Sequence, residues 1–204
     1  MYKRQALTKK EFTEIGEVFQ NTYPNAEAVK GPLTQLIKDY SQREIGSWAP
    51  LVPLDSMEKM LKDPYFEYIT DFVIETIKEL TPSFPDIETY KHNDDSITTW
   101  PVNPYIINAW GVLNKSFLSR GEGVANTPRL HPHRHVPATW TFTYYIDACE
   151  NCSPLIFNNT NEQNAVKSKT GDLVIFPGWV THSVAPHKCD HDRISIAGNV
   201  GIKL

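Results

Sequence analysis

Apolar residues recur at helical spacing through the first eighty positions and then shift to the alternation of strands. Thr8-Lys9-Lys10-Glu11 reads as a capping box, in which the Thr8 hydroxyl accepts from the third helical amide and Glu11 reaches back. A helix over about 9–22 is expected from it, with Phe12, Ile15, Val18 and Phe19 on one face. Pro24 and Gly31-Pro32 read as breaks, so the next helix is short, from Thr34 to about Tyr40, with Leu33, Leu36 and Ile37 as its apolar positions. Asp55-Ser56 can cap another short helix carrying Met57, Met60 and Leu61. Pro64 suits the first turn of a longer helix ending at Leu80, with a stripe of Tyr65, Ile69, Phe72, Thr76 and Leu80.

From Thr81 onward Pro, Asn, Asp and β-branched residues dominate, and strands are expected near 105–113, 129–135, 139–147, 154–159, 164–169, 172–177, 182–186 and 193–200. Eight short strands joined by turns suit a mainly β, double-stranded β-helix: a cupin-like jelly roll with amino-terminal helices packed on one sheet. Alternation in Arg193-Ile194-Ser195-Ile196 sends Arg193 and Ser195 to one face and the isoleucines to the other. If the polar face lines the barrel, the helices are what covers the isoleucines. Likewise Thr139, Thr141, Thr143 and Tyr145 form the more polar face of their strand and should look inward. With 204 residues, 40% of them hydrophobic, the chain is expected to fold as one domain over 1–204. Within it, 1–95 is a helical support region and 96–204 the core.

Charge narrows the function. A formal net charge of −4 gives no broad basic face for nucleic acid. Met1-Tyr2-Lys3-Arg4-Gln5 leads into polar sequence without the apolar stretch of a signal peptide or membrane span, so a cytoplasmic protein is expected. Three cysteines, an odd number, do not make a disulfide framework.

Six of the seven histidines lie at or after residue 131. His131-Pro132-His133-Arg134-His135 is followed far downstream by Gly171-Asp172-Leu173-Val174-Ile175-Phe176-Pro177-Gly178-Trp179-Val180-Thr181-His182 and then Arg193-Ile194-Ser195. Histidines two apart on an extended strand share a side, so a pair from the first string plus His182 can take three positions around one metal ion. Such a pattern resembles the 2-oxoglutarate- and Fe(II)-dependent oxygenase superfamily, in particular its short prolyl-hydroxylase-like branch and the small bacterial and phage oxygenases. The likeness spans about residues 105–200, and its 171–199 block is the specific part. It includes Ala138–Asp147, similar to the strand after the first metal ligand in prolyl hydroxylases.

The resemblance implies a metal-binding dioxygenase, an oxidoreductase using iron and 2-oxoglutarate. Arg193, eleven residues after His182, and Ser195 would grip the far carboxylate of 2-oxoglutarate. From the inward face of its own strand, Tyr145 or Thr143 could touch the same molecule. No Asp or Glu stands two residues after a histidine of the 131–135 string, so the family's usual carboxylate ligand is missing. A facial set of His133, His135 and His182, a register using His131 and His133, or a two-histidine site completed by water or an anion would each answer this. The first is preferred, because it places His133-x-His135 where the small relatives carry His-x-His. Three neutral imidazoles suit Zn, Cu or Ni as well as Fe.

The implied reaction is hydroxylation of an amino acid, a peptidyl residue or another small molecule, with dioxygen consumed and succinate and CO2 released. A cupin-like metal dioxygenase without 2-oxoglutarate, or a non-catalytic jelly-roll protein binding a small acid, would use the same pocket. Trp110, Trp140 and Trp179 could stack on a substrate, although aromatic residues in strands commonly belong to the core.

Topology adds an expectation outside the family pattern. The strands leaving the two histidine groups end on the same side of a jelly roll, so Cys149-x-x-Cys152 from one turn should face Cys189-x-His191 from the other, with His187 nearby. These are the ligand types of a closed structural zinc site. Three unpaired thiols, or a Cys149–Cys152 disulfide, are the competing readings.

Overall fold

The computed structural model describes residues 8–12, 16–40, 59–80, 90–91, 97–98, 103–115, 130–158, 163–184 and 189–203. Among these residues, twelve strands and two helices are labelled in chain order: β1 (Thr8–Phe12), β2 (Gly16–Thr22), α1 (Ala26–Tyr40), α2 (Pro64–Leu80), β3 (Tyr90–Lys91), β4 (Ile97–Thr98), β5 (Asn103–Asn114), β6 (Leu130–His133), β7 (Trp140–Asp147), β8 (Leu155–Asn158), β9 (Gln163–Val166), β10 (Asp172–Pro177), β11 (His182–Val184) and β12 (Arg193–Lys203). A six-stranded sheet in the order β1-β2-β10-β7-β12-β5 faces a four-stranded sheet in the order β6-β11-β8-β9, and β3 pairs with β4. All the pairings are antiparallel. The eight strands anticipated from alternation form the jelly roll, with ends moved by a few residues.

Two local expectations fail. The helix over 9–22, with its Thr8–Glu11 capping box, is replaced by the β1–β2 hairpin, and β2 then adds to β10 with Gln20 opposite Val174. Val18 and Phe19, adjacent in sequence, point into the two different cores, which only an extended chain permits. Gly31-Pro32 does not break α1, which begins eight residues earlier than expected and runs through Pro32. Proline there removes one amide donor. Burial of Val29, Leu33 and Ile37 on the opposite face outweighs that loss. The cap at Asp55-Ser56 and Met57 lie outside the described residues, whereas Met60 is fully buried.

α2 forms where the sequence placed it. Asp63 caps it, its carboxylate accepting from the amides of Tyr65 at 2.9 Å and Phe66 at 3.3 Å, and Pro64 occupies the first turn. Its buried face is Phe66, Ile69, Val73, Thr76, Ile77 and Leu80, so the stripe is rotated from the one expected, with Tyr65 left exposed. The helices bury these side chains against Trp140, Phe142, Tyr144, Ile146, Leu173, Ile175, Ile194 and Ile196 of the large sheet. A second core, with Val18, Tyr145, Leu155, Phe157, Val174 and Phe176, fills the barrel between the sheets. The inward face of β7 and the two-sidedness of β12 are as alternation required. No helix among the described residues is long and apolar enough to cross a membrane.

Candidate metal and cosubstrate site

The small sheet brings three histidines together. β6 and β11 pair with His133 opposite His182, and His135 follows two residues after His133, in the turn holding the cis Val136–Pro137 bond. The Nε2 atom of His135 lies 3.1 Å from that of His133 and 3.3 Å from that of His182. Metal–nitrogen bonds of about 2.1 Å put neighbouring nitrogens about 3.0 Å apart at right angles and about 3.4 Å apart in a tetrahedron, so one ion fits the three atoms. Among the described residues this cluster includes no carboxylate. His131 is exposed, and its ring lies outside the cluster.

Ring orientation is fixed from behind. Nδ1 of His133 lies 2.7 Å from the His131 carbonyl, and Nδ1 of His182 lies 3.2 Å from the Val180 carbonyl. A carbonyl can only accept, so each Nδ1 carries the proton and each Nε2 presents its lone pair inward. His135 is steadied by Trp110, stacked at 5.8 Å, and its amide donates to the Gly178 carbonyl at 2.8 Å. Phe176 packs edge-on to His182 at 4.7 Å. Burial, reinforced by the neighbouring His133, lowers the pKa of His135 to about 4. His182 falls to about 3, from burial first and then His133. Both rings are therefore neutral at neutral pH, as metal ligation requires.

Arg193 opens β12 on the barrel side and is 3% exposed. Its Nη1 donates to the Ser153 carbonyl at 2.6 Å. With its amide oxygen turned to the guanidinium, Asn114 accepts from Nη2 at 3.0 Å and Nε at 3.2 Å. Among the described residues three of the five N–H donors are thereby used, which leaves one on each terminal nitrogen. The guanidinium stands over the Tyr145 ring at 5.7 Å. Burial raises the Tyr145 pKa against the opposing pull of Arg193, so the phenol keeps its proton. Ser195 is buried one pleat along on the same face. Among the described residues no carboxylate pairs with Arg193; Asp172 instead accepts from Gln20, Thr22 and the Lys169 amide.

Of the three tryptophans considered, Trp110 borders the histidines and Trp179 is 53% exposed, but Trp140 is buried in the helix-side core against Phe19 and is unavailable to a substrate. On the barrel side of the large sheet, Thr141 donates to the Asn199 oxygen at 3.2 Å, and Asn199 donates to Asn108 at 2.9 Å. Sequence reasoning missed Asn114 altogether. Its only local signal is an amide at the end of a strand.

An antiparallel jelly roll that gathers three imidazoles on its small sheet can hold one metal ion and leave positions on it open. Residues 124–199 match the family described as putative 2OG-Fe(II) oxygenase. Over that stretch the chain is similar to 2-oxoglutarate- and Fe(II)-dependent oxygenases. The fold is similar to those of AviO1 from Streptomyces viridochromogenes (15% identity, TM-score 0.57, 89% of each chain covered) and a prolyl-4-hydroxylase from Pseudomonas putida (11%, 0.54, 89% of this chain and 85% of that one). EvdO2 from Micromonospora carbonacea, solved with 2-oxoglutarate, is similar too, at 12% identity and TM-score 0.57 over 95% of this chain and 89% of that one. None of the curated proteins matches.

Proposed function

We propose that His133, His135 and His182 hold Fe(II), that Arg193 and Ser195 take the far carboxylate of 2-oxoglutarate, and that the enzyme hydroxylates an amino acid, a peptidyl residue or a comparable small molecule. The carrying observation is Arg193. A buried guanidinium with no carboxylate partner among the described residues is costly, and its two remaining donors suit one carboxylate. Iron and 2-oxoglutarate, when bound, supply the oxidising power: one atom of dioxygen goes to the substrate C–H bond and the other to succinate, with CO2 released.

The residues do the rest. Outward Nδ1–H bonds hold the imidazoles as ligands, Phe157 and Phe176 wall the site beside His182, and Trp110 and Trp179 offer aromatic faces for a substrate. The dianionic cosubstrate balances the two charges of the metal, which supports a site without a protein carboxylate. The test is anaerobic addition of Fe(II) and 2-oxoglutarate, watching for the visible band of the chelate, followed by succinate assay in air. Metal-dependent oxygen uptake without succinate would instead favour a dioxygenase that keeps Arg193 for a substrate carboxylate.

A further inference from the structure

At the far end of β7 from the histidine cluster stands a second group of metal-binding side chains. The turn after β7 carries Cys149 and Cys152, and the segment entering β12 carries Cys189 and His191. Ligand atoms of Cys149, Cys152 and His191 lie within 4.8 Å of one another. The Cys149 and Cys152 sulfurs are 3.6 Å apart, Cys152 Sγ is 3.8 Å from His191 Nδ1, and Cys189 Sγ stands 3.2 Å from Cys149 Sγ. Tetrahedral zinc with bonds of about 2.3 Å to sulfur and about 2.1 Å to nitrogen has edges of about 3.5–3.8 Å, which the Cys149–Cys152 and Cys152–His191 separations match; Cys189, 3.2 Å from Cys149 and outside the mutually close set of three, would close the fourth position by a small shift of its side chain. We propose that Cys149, Cys152, Cys189 and His191 form a closed structural zinc site that joins the two loops.

The surroundings are those such a site needs. His191 directs Nδ1 at the sulfurs while its Nε2 lies 3.2 Å from the Asp147 carboxylate, the outer-shell partner that fixes a ligating imidazole. Lys30 of α1 holds the same oxygen at 2.8 Å, which ties the site to the helical layer. Sulfurs accept from main-chain amides: Cys152 from Cys149 at 3.3 Å, Cys189 from His191 at 3.3 Å. These bonds suit thiolates better than thiols.

Position gives the site its consequence. Ser153, whose carbonyl holds Arg193, directly follows Cys152, and Arg193 itself comes two residues after His191. Both loops clamped by the metal therefore end on the buried guanidinium. The zinc proposal does not depend on the reading of the histidine cluster.

The experiment is metal analysis of the full chain, purified without added metal, in the His182→Ala background, which removes the competing cluster. About one zinc per chain is expected. Cys152→Ser and Cys189→Ser should each lose it, while His191→Cys, which keeps a ligand at that position, should retain it. Cobalt substituted into the His182→Ala protein should show thiolate-to-metal absorption. In the zinc form all three thiols should resist labelling until a chelator is added, and the chelator should lower the melting temperature. The proposal is overturned if the His182→Ala protein carries no zinc, if its thiols label at once, if mass analysis finds a Cys149–Cys189 disulfide, or if zinc follows His182 instead of the cysteines.

Discussion

Each imidazole of the cluster has a replaceable ring and an irreplaceable position. His133→Ala, His135→Ala and His182→Ala should each weaken Fe(II) or Co(II) binding by more than about 100-fold, beyond what losing an outer-shell partner costs. His131→Ala should have little effect, because its contribution to His133 is a main-chain carbonyl. Titration calorimetry of the four variants checks this, and a metal-free His131→Ala protein would show that the register is wrong. Arg193→Ala should cost 2-oxoglutarate about 2–4 kcal/mol of binding while iron still binds. Unchanged affinity in that variant would detach Arg193 from the cosubstrate. Gly178 is the least conspicuous member of the site: a Cβ there would run into the Ala138 carbonyl oxygen, and its own carbonyl receives the His135 amide. Gly178→Ala should therefore displace His135 and weaken metal binding without touching any ligand, measurable in the same titration.

Among the elements, β12 carries both halves of the design. Its even positions pack Ile194, Ile196 and Val200 under the helices while its odd positions present Arg193 and Ser195 to the barrel. α2 supplies much of that cover, so Ile69→Ala, which empties a fully buried site on it, should destabilise the protein by about 2–5 kcal/mol in urea unfolding. Elements governed by their own alternation were legible in the sequence. The jelly-roll strands, the two faces of β7 and β12, and the span of α2 belong here, as does the spacing that brings His133, His135 and His182 together. What escaped depends on distant partners. β1 and β2 look helical locally and become strands because β10, about 150 residues on, offers a sheet edge. Asn114 earns its place at Arg193 through a strand pairing 79 residues long in sequence (193 − 114), which no local pattern encodes. The rotated stripe of α2 is a subtler case, since either face carries enough apolar side chains and only the sheet beneath decides between them.

At the scale of the molecule, the buried histidines couple stability to pH. Folded His135 and His182 have pKa values of about 4 and about 3, against 6.5 for an ordinary histidine. Between those values the unfolded chain binds protons that the folded one refuses, so stability falls as pH drops through this window and is regained on returning above about 6.5. Urea midpoints of metal-free protein at pH 7 and pH 5 should show the fall, and a His135→Ala/His182→Ala protein should show less of it. The same long-range sheet has a temporal side. The Tyr23 amide donates to the Gly171 carbonyl at 2.8 Å and Gln20 bonds to Asp172, 152 residues away, so β2 meets β10 only after about 150 further residues exist. During synthesis, at about 5–20 residues per second, β2 waits about 8–30 seconds with one edge unpaired. A chain released before residue 172 has no strand for that edge to join, and self-association through it is the fate to which an interrupted translation product is exposed.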